Sequence, residues 1–245
     1  MTTKPSPPPL PFLLLQINDA AFPIGGYSHS YGLESYIQFG LVKDAQTAAD
    51  YIRRNLDGPF LFSELLPARI AYDLAARGDV AGLIGLEELS VAARAPAELR
   101  AAAQKIGQRF IKTAGGLLQN DDRAAAGAAA AATEVFSDYV RAAGHRLCTH
   151  PVAYGVFCAA AGFSRREALA AFLYAQTSAA VVNCVKTVPL RQTDGQRILA
   201  ERHAQLHSLL DRLDGLAEAD AFRSFPGHEI RAMQHEGLYS RLYMS

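Results

Sequence analysis

His145, Cys148 and His150 place three nitrogen and sulfur donors within six residues, a set that suits nickel, zinc or copper. A short run between two helices brings such residues together without a metal as well, with Pro151 opening the next helix. His203 and His207 repeat at i, i+4 and share a helix face able to grip a divalent ion. Glu201, Arg202, Asp211 and Arg212 beside them also fit a solvated polar face. The stretch Gly25–Gly32 (GGYSHSYG) invites a catalytic reading. It is no phosphate loop, because no Lys-Ser/Thr pair follows the glycines. It misses a nucleophile elbow at one position, Ser30, where a glycine is required, and no strand precedes it. A helical hydrolase acting through this loop therefore lacks both its local pattern and its fold context. A simple turn leaves Tyr27, His29 and Tyr31 unexplained, whereas an exposed aromatic loop on a rigid scaffold is a binding element.

The other anomaly is the ending, which carries Leu238, Tyr239, Arg241, Leu242, Tyr243 and Met244. Terminal segments are ordinarily polar and frayed. One this apolar and aromatic must dock, on its own domain or on a partner, and Tyr and Arg are favoured anchors there. Between the two ends, Leu169–Leu190 reads as an apolar helix interrupted by Gln176, Thr177, Ser178, Asn183 and Lys186. Burying an unpaired amide or hydroxyl costs about 1–3 kcal/mol, so these groups pair internally or line a passage or contact surface, with Lys186 at its end. The cations of Arg94–Lys112 read as a solvated helix face.

The elements that must position these groups are helices. Asp44 caps Ala45–Leu56, Gly58-Pro59 separates it from Phe60–Ala76, and Pro67 should kink or split that second segment. Asp79 starts a helix to Ala93, and Pro96 opens a long amphipathic one with Leu99, Ala103, Ile106 and Phe110 on its apolar side. An alanine-rich run follows within Asp121–Gly144, then a segment from Pro151 to Gly162. Ser164 and Glu167 form a capping box before Leu169–Val188, and Gly195–Leu213 and Ile230–Leu242 complete the series. No period-2 alternation is sustained. The expectation is one all-α domain over residues 12–245, about ten helices packed orthogonally rather than as a four-helix bundle, behind a disordered Pro-rich tail at 1–11.

Composition narrows the function. The 24 basic and 24 acidic residues balance, which argues against nucleic acid as a partner. Three cysteines are too few for a disulfide framework, which points to a reducing, cytoplasmic setting, and no uninterrupted apolar stretch suggests a membrane span. The whole reads as a scaffold or interaction protein and not an enzyme.

Five segments carry a resemblance, in order and in register: FPIGGYSHSYGLESYIQ, ELRAAAQKIGQRFIKT, HPVAYGVF, LYAQTSAAVVNCVKTVPLRQTDGQ and MQHEGLYSRLYMS. Together they resemble the urease accessory protein F family, the nickel-insertion chaperones. The resemblance implies an all-α cytoplasmic homodimer, not itself an enzyme. Such a protein binds accessory protein D (also called H) and recruits the GTPase G, and the assembly delivers nickel to apo-urease. It implies no tightly bound cofactor, the nickel being handled by the complex. It places partner-binding residues at Tyr27, His29, Tyr31 and Glu34, at Lys186 and Gln192, and at His235, Glu236, Tyr239, Arg241 and Tyr243. The alternatives are a stand-alone metal-binding protein using His145, Cys148 and His150 or the His203/His207 pair, and a helical hydrolase using the Gly25–Gly32 loop.

Overall fold

The computed structural model describes residues 11–119, 128–144 and 147–245, and no strand occurs among them. Helix α8 (His150–Ala160) runs through the centre. Its sequence is apolar all round, and from Val152 to Cys158 no side chain is more than about 1% exposed. Around it pack α4 (Leu66–Ala76), α5 (Val80–Ala92), α6 (Ala97–Gln119), α7 (Ala128–Ala143) and α9 (Arg165–Thr187). Helix α10 (Gln192–Asp214) lies along α9, while α3 (Ala45–Asn55) bridges both. This is the all-α domain with surrounding helices that the sequence predicts, not a four-helix bundle.

The caps fall where the residues place them. Asp44 and Thr47 form a reciprocal box at the start of α3, and Asp79 accepts from the Gly82 amide at α5. Ser164 accepts from the Glu167 amide at α9. Gly58-Pro59 divides two helical segments as the sequence predicts: Gly58 leaves helical geometry at φ −120°, ψ −106°, and a kink there splits the stretch Leu56–Leu65 that joins α3 to α4. Two expectations change. Pro67 does not split the helix: Leu65 and Leu66 keep helical angles where the bonding passes from π to α, and Ser63 O, four residues before the proline, accepts from Arg94 instead. Helix α1 (Pro11–Ile17) begins one residue inside the stretch read as a tail, whose residues 1–10 lie outside the described residues.

A buried carboxylate ties three elements together. Glu87 on α5 accepts from the Tyr139 hydroxyl on α7 at 2.6 Å and from the backbone and side chain of Thr149, the residue before α8. Burial pushes its carboxyl above the ordinary range, while those donors hold it down. Arg94 lies in the adjoining buried site, paired with Glu64 at 2.7 Å. It precedes α6 and does not belong to that helix's solvated face.

Helices α4 and α8 touch backbone to backbone at Gly155. A Cβ there would penetrate the Ala68 carbonyl and stand 2.9 Å from the Ala71 methyl. Gly155→Ala should therefore destabilise by about 1–3 kcal/mol through overpacking, although alanine is the better helix former by about 1 kcal/mol. Thermal unfolding checks this; a gain in melting temperature would show that the crossing is looser than described.

Candidate functional site

The two unusual ends of the sequence fold onto each other. The loop enters a short 3-10 turn at Gly26–Ser28 and leaves through Tyr31 and Gly32, both left-handed at φ 54° and 84°. For a tyrosine this conformation costs about 1–2 kcal/mol. It turns successive amides to one side: Ser30 N–H at 2.5 Å and Tyr31 N–H at 3.1 Å both donate to the main-chain oxygen of Ser245. The Ser30 hydroxyl donates to the same oxygen, and Met244 N–H donates to Ser28 O. His29 Nδ1 lies 2.8 Å from the Ser245 hydroxyl. Burial, then Lys105 and Arg109, lower the His29 pKa and keep the ring neutral.

Glu34, in the first turn of α2 (Leu33–Gln38), is the second anchor. Oε1 accepts from Leu242 N–H at 2.7 Å, and Oε2 from Tyr243 N–H at 2.9 Å. Oε2 also faces His235 Nε2 at 2.9 Å. The other ring nitrogen, Nδ1, lies 2.5 Å from Glu98 Oε2 on α6, and Glu98 Oε1 accepts from Arg241 at 2.7 Å. Ionised carboxylates only accept, so both imidazole nitrogens act as donors when both acids are charged. His235 is completely buried. It sits in a 3-10 turn after α11 (Pro226–Gln234), so the last helix ends eight residues before the predicted Leu242. From Leu238 to Ser245 the chain is non-helical, held by Glu34 and the loop. Helix α11 reaches α2 at Gly32, where a Cβ would stand 3.2 Å from the Ala232 Cα. From α9, Asn183 donates to His29 O at 3.0 Å.

The site thus gathers His29, Tyr31, Glu34, His235, Arg241 and Tyr243. Its outer face is apolar: Tyr27 is 70% exposed, Leu242 67% and Met244 57%, and Tyr239 stands free in solvent. Glu236 is exposed nearby. Sequence reasoning missed Glu98 as a member. Its signal was an acid in the first turn of a helix whose own i+4 neighbour is not basic, too common to single out. Lys186 and Gln192 are not part of this cluster. Lys186 is exposed in the last turn of α9, and Gln192 begins α10. Thr177 donates to Leu173 O within its own helix, and Asn183 to the loop, so these two polar groups of α9 are paired internally.

Of the three metal-donor candidates, His145 lies outside the described residues. Burial, then Glu87, pushes the Cys148 thiol well above its usual range, which disfavours the thiolate a metal requires. His150 is packed against Phe110, Tyr154 and Phe172. No cluster of three or more His, Cys, Asp or Glu able to hold a metal occurs among the described residues. Burial, with Arg94 adding to it, brings His150 down from 6.5 to about 4. Between those values the unfolded chain takes up a proton that the native chain refuses, so stability is full above pH 6.5 and falls below it. The melting temperature should decline across that window, and His150→Phe should flatten part of the decline; an unchanged slope would place the proton uptake elsewhere.

Removing His235 leaves the buried Glu34 carboxylate and the partly exposed Glu98 carboxylate without their shared hydrogen-bonding partner, a loss of about 1–3 kcal/mol. His235→Ala should therefore strip hydrogen-exchange protection from the Leu242 and Tyr243 amides, whereas Tyr239→Ala should leave it intact. Retained protection in His235→Ala would show that the loop alone holds the segment.

The UreF family pattern matches residues 42–203. Urease accessory protein UreF of Paenarthrobacter aurescens is 32% identical over 235 residues, covering 95% of this chain and 96% of the relative. The protein of the same name from Actinobacillus pleuropneumoniae serotype 3 is 30% identical over 239 residues, covering 95% and 97%. That of Bacillus sp. (strain TB-90) is 29% identical over 238 residues with the same coverage. With two thirds of the chain inside the family pattern and near-complete alignment to these relatives, the chain belongs to the UreF family of urease accessory proteins.

Proposed function

We propose that this protein is a non-catalytic scaffold of urease maturation in the cytoplasm. The docked C-terminal segment and the Gly25–Gly32 loop form the surface that engages accessory protein D (or H) and the GTPase G. Nickel is cargo of the assembly, passed on to apo-urease. One observation carries the reading: the loop and the ending spend their polar groups on each other and turn Tyr27, Tyr239, Leu242 and Met244 outward. Aromatic and aliphatic side chains presented on a fixed backbone are what a partner's pocket recognises. Self-association uses a second face. Helix α9 is long and apolar enough to cross a membrane by length and composition, yet Leu169, Phe172, Leu173, Val181 and Cys184 are in the core. Its outward stripe of Tyr174, Val182 and Lys186 supports pairing with a second copy.

Deleting residues 240–245 should leave the helical content unchanged and abolish capture of the GTPase together with urease activation in a reconstituted assay. Full activation by the truncated protein would refute the docking role. Tyr27→Ala should weaken capture by about 2–4 kcal/mol if the ring is a buried anchor in the complex. Arg241 is bound to Glu98, so Arg241→Ala should act through a loosened segment and reduce amide protection as well as capture. Lys186 is exposed and no carboxylate pairs with it among the described residues, so Lys186→Ala should shift the melting temperature little while altering assembly or nickel transfer. A large drop would mean the ammonium is structural.

A further inference from the structure

Lys105, Arg109 and Lys112 stand on α6 at i, i+4 and i+7, so they share one face, and all three are exposed. No carboxylate pairs with any of them among the described residues. Arg94, Arg165, Arg166, Arg223 and Arg241, by contrast, each have an acidic partner. Like charges one turn apart repel by about 0.2–0.5 kcal/mol per pair, so the strip is unfavourable to the isolated helix. The chain as a whole is neutral, which makes this a local excess and not general basicity. The strip also has a definite neighbour. The Arg109 guanidinium lies against Gly25, and both Lys105 and Arg109 act on His29, so it borders the loop that carries exposed Tyr27.

We infer that the Lys105–Arg109–Lys112 strip, with Tyr27 at its edge, docks an acidic helix of a partner protein whose carboxylates repeat at one-turn spacing. The strip extends about 10 Å along the helix, two turns. That matches three carboxylates on one helix face. It falls short of the roughly six to ten phosphate contacts of a nucleic-acid site and of the four to eight cations, on the order of a polybasic patch, that hold an anionic membrane. Tyr27 adds an aromatic contact that a purely electrostatic tether would not require. The accessory-protein reading supplies only the partner's identity, a component of the maturation assembly; the surface itself stands on the strip.

The test uses the full chain and a helical peptide bearing Glu at i, i+4 and i+7, beside an isomer with the same glutamates scattered around the helix. The matched peptide should bind more tightly and lose affinity with added salt. Lys105→Glu, Arg109→Glu and Lys112→Glu together should weaken it at least about tenfold, and the corresponding glutamine triple should fall between. All three positions are exposed, so circular dichroism melting should not change. Equal binding of the two peptides, indifference to charge reversal, or preferred binding to phosphatidylserine vesicles or duplex DNA would overturn the inference. In parallel, the association rate with co-purified urease accessory proteins is measured. If wild type captures them and the Glu triple does so at an unchanged rate, the strip is not the docking face. If wild type captures none while the peptides are still discriminated, the accessory reading fails and the strip stands.

Discussion

The carboxylate of Glu34 joins the beginning and the end of the chain. It is almost fully buried, and each of its oxygens is spoken for: one by the Leu242 amide, the other by the Tyr243 amide and the His235 ring. The segment it holds has neither a helix nor a sheet ladder to satisfy its own backbone, so the two amides depend on this acceptor. Through His235 the same carboxylate reaches Glu98 and then Arg241. Two carboxylates, an imidazole and a guanidinium thus close a compact hydrogen-bonded group drawn from α2, α6 and the residues after α11.

The consequence is a surface with two chemistries. Alternate residues of the ending point in and out: Tyr243 and Ser245 are buried, Leu242 and Met244 exposed. The inward set is fixed by Glu34 and by the loop amides, and the outward set faces solvent. A segment held by a handful of hydrogen bonds at the edge of a domain belongs to the low-stability end of the local unfolding spectrum. Its order is therefore conditional on the charge group beneath it, and any partner that recognises the outer side chains also favours the closed arrangement.

The scaffold beneath has a simpler logic. Helix α8 has no polar face to give to solvent and so takes the centre, and Gly155 lets α4 approach it closely. Glu87, sealed by Tyr139 and Thr149, fixes the entrance to that helix. On α9, Thr177 and Thr187 return their hydroxyls to carbonyls one turn earlier. Asn183 spends its amide on the loop, which makes the helix part of the support beneath His29.

Read alone, the sequence determined the helices, because caps such as Asp44, Asp79 and Ser164 and the apolar periodicity act over a turn or two and need nothing distant. It also marked both ends as unusual, since Tyr27, His29 and Tyr31 exceed a turn's needs and Leu238–Met244 exceeds a frayed terminus. It identified Glu34, His235, Arg241 and Tyr243 through family resemblance, but not what they do to one another. Only the tertiary structure decided that. Glu98 and His235 are 137 residues apart, and no local rule makes one the other's partner. The fate of Pro67 was likewise undecided, because a proline ends a helix or lets it continue according to what meets the freed backbone groups, and here Arg94 meets the Ser63 carbonyl. The same holds for Cys148 and His150: their spacing suggested a shared metal, while burial between Glu87 and a set of aromatic rings gave each a separate environment. Ionisable groups take their chemistry from dielectric and neighbours, and both are products of the fold.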